Sequence, residues 1–327
     1  MATILKTKSL YYNDVNIIAQ PATINSRTEV PKELHRIIVS PMSAIVGETF
    51  AIEADRLGLS ICIHKFCKPE YQLNIYNKLT NKNNVFVSVG LNDWERVKIL
   101  AENGVNNFLL DIANGYLPSI QNTVSKIKEI ADVKKMMVGN VHTGEGFKNL
   151  VDMCAETYIR VGLSGGSCCK TSDSTGVNRG QITEIMEVSN ERDHHKNEAC
   201  NNYIVADGGI KNGNYAAKSF GSGSEFVMMG GYFARAIEAE TNISGDGIYY
   251  GGASHKQQEK WGGIKRHSEG KEIKIEEELV PLSVLVDDLI GGLSSAISYS
   301  KYKTLTDFIG NATFEIKENS LAPKNRK

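Results

Sequence analysis

The chain has 327 residues, 37 Lys and Arg against 38 Asp and Glu for a formal net charge of −1, 41% hydrophobic residues and six cysteines. Such a length holds one large α/β barrel or two smaller domains with an ample core, and near-neutrality supplies no positive excess to draw the chain to nucleic acid or an anionic membrane. The longest apolar runs are too short to cross a bilayer, MATILKTKSLYYND has no secretory core, and six cysteines including the adjacent Cys168 and Cys169 make no disulfide scaffold, so a cytoplasmic protein with reduced thiols is expected.

In chain order, the runs that read as strands are HRIIVSP (35–41), LSICIHK (59–65), NVFVSVG (84–90), NFLLDIANG (107–115), KMMVGNV (135–141), TYIRVGLS (157–164), YIVADGG (203–209) and SEFVMMGG (224–231). Between them GETFAIEADRLG, DWERVKILAENG, IQNTVSKIKEIADV, TGEGFKNLVDMCAE and IKNGNYAAKSFGSG carry apolar residues at helical spacing and mostly end near Gly or Asn. Eight βα units in succession predict an α/β fold of the (β/α)8 TIM-barrel type, one barrel over residues 1–327, since near-continuous apolar strands suit a parallel sheet covered by helices. Many runs end in a polar or glycine cluster, and in such barrels the C-terminal ends of the strands build the active site. Segments 164–203 and 232–290 exceed ordinary βα loops and are candidate lids, while NERDHHKNEACNN (190–202) reads as a surface loop.

Two motifs carry chemistry. VGLSGGSCCKTSDSTGVNRGQ (161–181) ends a strand in a Gly/Ser-rich turn followed by cysteines, and oriented amides with Lys170 favour a thiolate nucleophile there; the same segment also reads as a loop burying two small residues. ADGG and MGG end the seventh and eighth runs, where barrels of this type often hold phosphate, and paired glycines let the backbone come close to it. Asp207 suits a ribose diol, or else caps a helix. Cys62, His64 and Cys67 do not have zinc spacing, and the GSGS of 221–224 lacks the strand–turn–helix context of a dinucleotide fingerprint.

GSCCKT, TGVNRGQ, VADGGI, FVMMGG, YYGGAS, DDLIGGLSSAISYSKYKTLTDFIGNATF and the N-terminal NDVNIIAQPATINSRTEV together resemble the IMP dehydrogenase/GMP reductase family over nearly the whole chain. Within it, LDIANGY (110–116), GNVHTGE (139–145), AIEADRLGLSICIHK (51–65) and RHSEGKEIKI (266–275) are similar to the GMP reductase branch, and there is no room for inserted CBS modules or a long catalytic flap. The resemblance implies NADPH-dependent reductive deamination of GMP, or a related purine nucleotide, to IMP and ammonia through a covalent intermediate at purine C2. Oxidation of the IMP dehydrogenase type and a non-catalytic purine nucleotide-binding barrel are the alternatives.

By resemblance Cys169 is the nucleophile, with Thr171 and Glu269 delivering protons. The substrate set is Ser167, Asp207, Gly208, Gly209, Gly230, Gly231, Gly251, Gly252, Ala253, Arg266, Ser268 and Gly270. The NADPH set is Ser26, Arg27, Lys65, Asp111, Ile112 and Ala113, with Arg27 reaching the cofactor across a subunit interface, which implies a homotetramer. A candidate K+ site falls at Gly166 and Cys169. The chain departs from the family pattern at Lys170 between the cysteine and Thr171, at YGGAS in place of Tyr-Gly-Met-Ser, and at Asn178, Arg179 and Gly180 in place of Gly-Tyr-Pro.

Overall fold

The computed structural model describes residues 8–317 apart from 164, 167, 169, 196–198 and 262–269. Eight strands close into a parallel barrel in chain order: β1 (Ile37–Val39), β2 (Ser60–Ile63), β3 (Val85–Val89), β4 (Asn107–Leu110), β5 (Lys135–Val141), β6 (Glu156–Val161), β7 (Asn201–Asp207) and β8 (Phe226–Met229). Closure is made by β1 against β8, with Ile38 opposite Met228. All eight expected strands form, and the (β/α)8 TIM-barrel reading holds.

Side chains alternate across each strand, so one parity faces the barrel axis and the other the surrounding helices. The axial set takes one residue from every strand, Ile38, Cys62, Phe86, Leu109, Met137, Tyr158, Val205 and Met228, in a single buried cluster that includes Phe226. The barrel is therefore a filled core rather than a channel. Two residues further along β1, β4, β6, β7 and β8 stand Ser40, Asp111, Arg160, Asp207 and Gly230. The same parity that fills the axis thus lays a polar layer on top of it, at the C-terminal end of the strands.

The outer wall is α1 (Glu48–Leu57), α2 (Pro69–Lys78), α3 (Trp94–Glu102), α4 (Ser119–Ile130), α5 (Gly144–Lys148), α6 (Gln181–His194), α7 (Gly213–Gly221) and α8 (Leu282–Ser298). The segments read as long insertions, 164–203 and 232–290, hold the barrel helices α6 and the start of α8, so each is a loop plus a structural helix. The NERDHHKNEACNN patch is not a surface loop throughout: Asn190 to His194 finish α6, and Asn201 opens β7. TGEGFKNLVDMCAE is helical only over Gly144–Lys148; the chain then breaks, with Asp152 in the left-handed region at φ 59°. Outside the barrel, Val15–Ile17 pairs antiparallel with Phe314–Ile316, and Ile248–Tyr250 with Glu272–Lys274. Among the described residues no helix is long and apolar enough to cross a membrane, and Cys62, Cys67, Cys154, Cys168 and Cys200 form no disulfide.

Candidate active site

A cavity of about 1620 Å³ opens at the C-terminal mouth of the barrel, over the polar layer. Its floor is an ionic cluster. The Arg160 guanidinium, almost wholly buried, lies 3.7 Å from Asp111 Oδ1 and 3.8 Å from Asp207 Oδ2, and its Nη2 donates to the carbonyl of Ile112 at 3.1 Å. Asn140 Nδ2 donates to Asp207 Oδ2 and to the carbonyl of Gly162, both at 2.8 Å. Lys65 Nζ reaches Asp111 Oδ2 at 3.6 Å and also donates to the Asp111 carbonyl. Burial pushes the Asp207 carboxyl up from its ordinary value, while Arg160 and Asn140 pull it back down. Two carboxylates held this way keep lone pairs for sugar hydroxyls, which donate and need an acceptor.

The rim is built from glycine turns that pack on one another. Gly208 and Gly209 follow β7 in left-handed conformations, at φ 100° and 75°, and a Cβ on Gly208 would meet the Gly166 amide nitrogen at 2.9 Å. Gly162, at φ 132°, ends β6 so close to β7 that a Cβ there would lie 1.9 Å from the Asp207 carbonyl oxygen. Gly162→Ala therefore combines a strained φ with a backbone clash and is expected to cost about 3 kcal/mol or more of stability; a thermal midpoint equal to wild type would refute this packing.

The loop after β6 carries the cysteines. Cys168 is buried, its Sγ 3.9 Å from the carbonyl of Tyr249, and its own carbonyl accepts the Lys271 amide at 2.7 Å. Lys271 Nζ further bridges to Asp173 at 3.0 Å, which ties the Ile248–Tyr250 and Glu272–Lys274 pair to the cysteine loop.

Most of the expected site residues converge on the cavity. Thr171, Gly166, Asp207, Gly208, Gly209, Gly230, Gly231, Gly251, Gly252, Ala253 and Gly270 line it, as do Lys65, Asp111, Ile112 and Ala113. Cys169, Ser167, Arg266, Ser268 and Glu269 lie outside the described residues. Ser26 and Arg27 are not brought to the cavity: they sit in a turn against α8, where Arg27 Nη1 donates to Ser295 Oγ at 3.2 Å and the Glu29 carboxylate accepts the Ser26 amide. Sequence reasoning missed Arg160 and Asn140. Arg160 was signalled by a lone charge in the apolar run TYIRVG, two residues after the axial Tyr158. Cys62 faces the axis, while His64 is buried and held down to about 4 by desolvation, and no cluster of three or more metal-binding side chains occurs among the described residues.

A second polar pair lies behind the wall of the same cavity. His142, on its wall, has Nδ1 4.0 Å from Oε1 of the buried Glu184 on α6. Desolvation raises the Glu184 carboxyl from 4.5 to about 8. Between those values the folded chain keeps a proton that the unfolded chain loses, so stability declines as pH rises across that window, by about 3 kcal/mol at pH 7. Glu184→Gln removes this dependence. Its stability relative to wild type is expected to improve from pH 5 to pH 8 in denaturant melts, and parallel curves for the two proteins would contradict it.

A sequence model of the IMP dehydrogenase / GMP reductase domain matches residues 9–322. The chain belongs to this family. Its relatives include a GMP reductase of Onchocerca volvulus, 28% identical with 96% of this chain and 92% of the relative covered. One from Citrobacter koseri is 29% identical over 93% and 94%, and one from Caenorhabditis elegans is 31% identical over 71% and 66%. Members of the family are NAD(P)-dependent purine nucleotide oxidoreductases.

Proposed function

We propose that this family member is a GMP reductase-like enzyme that converts GMP, or a close purine nucleotide, to IMP and ammonia with NADPH, using Cys169 as nucleophile. The observation that carries the reading is the single cavity itself. At about 1620 Å³ it exceeds the roughly 300–1,000 Å³ of a pocket for one small ligand, and it is lined at once by the described members of the expected substrate set around Asp207 and by Lys65, Asp111, Ile112 and Ala113 of the expected cofactor set.

Phosphate of the nucleotide goes to the turns after β7 and β8, where Gly208, Gly209, Gly230 and Gly231 present backbone, and the ribose to the Asp207 carboxylate. Gly251, Gly252, Ala253 and Gly270 border the base. The cofactor set fits the hydroxyl-rich part of a dinucleotide: Asp111 accepts from hydroxyls and Lys65, already held at 3.6 Å from Asp111, donates. In the reaction, the Cys169 thiolate bonds to C2, the bond from C2 to the exocyclic nitrogen breaks, and nitrogen leaves as ammonia. Thr171 and Glu269 deliver the proton that departure requires. NADPH supplies the hydride that takes the place of the amine at C2, and cleavage of the C–S bond returns the thiolate. Cys168, packed under Tyr249, is the structural member of the pair. Ser26 and Arg27 reach a cofactor only from a neighbouring subunit, which is why a homotetramer belongs to the reading, and a K+ ion on the carbonyls of Gly166 and Cys169 would order the cysteine loop.

The test is direct. Purified protein given GMP and NADPH is expected to oxidise NADPH with one ammonia released per turnover. Formation of XMP from IMP and NAD instead assigns the oxidative reaction, and tight nucleotide binding without turnover assigns a binding protein.

A further inference from the structure

We propose that His142 and Glu184 form a proton-holding anion subsite in the cavity wall that takes a phosphate group of the dinucleotide; this rests on the cofactor reading above. Three observations lead there. His142 Nδ1 and both carboxylate oxygens of Glu184 are buried without a hydrogen-bond partner among the described residues, an expensive arrangement for groups of this kind. They face each other at 4.0 Å, about one side-chain adjustment beyond hydrogen-bond distance. And the ring's other nitrogen, Nε2, has no partner among the described residues and is not closed off, on a residue that lines the cavity. The subsite lies on the dinucleotide side, because the His142 ring packs against Tyr116, with centroids 5.7 Å apart, at the end of the loop that begins with Asp111.

The surrounding charges set the resting state. Arg179 donates to the His142 carbonyl at 2.9 Å and pairs with Glu187 at 2.5 Å; burial first and then Arg179 hold the imidazole below its ordinary 6.5, against an opposing pull from Glu187. Arg179 also faces Glu184, whose charge is felt in turn by Tyr12. With no ligand, then, the proton sits on Glu184 and the imidazole is neutral. An anion at Nε2 reverses the preference. The Glu184 O–H bond breaks, the proton moves to His142 Nδ1 as the gap closes, and the result is an imidazolium between a phosphate and a buried carboxylate. No proton is exchanged with solvent, and the orphaned His142 Nδ1 and Glu184 Oε1 gain each other as partners.

Titration calorimetry of NADP+ binding, run in buffers of different ionisation enthalpy from pH 6 to 9, reads the proton directly. Wild type is expected to bind at pH 7 with almost no proton uptake, and to take up about one proton and weaken above about pH 8. In Glu184→Gln the internal donor is gone. Binding at pH 7.5 should then draw about one proton from solvent and be weaker by about tenfold or more, since His142 lies at least one pH unit below that pH. His142→Gln should bind weakly with no uptake at any pH. GMP titrated into the same preparations verifies that each variant is folded. Uptake unchanged by Glu184→Gln overturns the subsite and leaves the cofactor reading intact; wild type that binds GMP but no pyridine dinucleotide overturns both.

Discussion

Cys169→Ala is expected to lower turnover by roughly three orders of magnitude or more while GMP still binds, because the proposed phosphate and ribose contacts after β7 and β8 are kept and only the proposed bond-forming atom is lost. Cys168→Ala is the matched control. Its side chain is buried against Tyr249, so the change removes a small packing group, costs about 1 kcal/mol and leaves turnover within a few-fold of wild type. Intact mass after mixing with GMP, without reductant, should show an adduct in wild type and Cys168→Ala but none in Cys169→Ala. The opposite assignment, with Cys168→Ala dead and Cys169→Ala active, would place the nucleophile one residue earlier and put the Lys271 amide, which hydrogen-bonds the Cys168 carbonyl, directly on the reacting residue.

Arg160→Met should be the most destabilising single change at the site. It leaves Asp111 and Asp207 facing each other over the axial core with no cation between them, and removes the donor to the Ile112 carbonyl. Breaking a buried ion pair from one side costs about 3–5 kcal/mol, roughly 10 °C in melting temperature for a chain of this size. The pH dependence has a definite sign. With Arg160 gone, burial pushes the Asp207 carboxyl further up, so its penalty is full at neutral pH and fades as acid protonates it. The deficit measured at pH 8 should therefore shrink at pH 5, and a variant that melts like wild type at neutral pH would show that the cluster carries no such load. A refolded variant should also bind purine nucleotide poorly, since Asp207 loses the guanidinium that holds it in place.

The barrel was legible because parallel strands are covered on both faces and so read as short, nearly unbroken apolar runs such as NVFVSV and KMMVGNV. The glycine turns were legible for the same reason they are needed: chain comes against chain at Gly162 and Gly208, where no side chain fits. What sequence reading lost was polar and buried. Helix α6 hides Gln181, Glu184 and Ser189 among Ile182, Ile185 and Val188, so its apolar period is interrupted and the segment passed for an insertion. Arg160 could have been found by counting two residues on from each axial position, the rule that also finds Asp111 and Asp207. Asn140 could not, because no alternation applies to it.

That last residue sits where β5 slips against β6: Gly139 pairs with Arg160 and Val141 with Val161, leaving Asn140 between them without a ladder partner. A bulged position is free of the constraint that couples every other strand residue to its neighbours. Its side chain nevertheless spans the floor, from the Gly162 carbonyl to the Asp207 carboxylate. For anyone wishing to redesign the preference of the pocket, position 140 is thus the place where the chemistry beside the Asp207 carboxylate can be rewritten while the staves of the barrel stay in register.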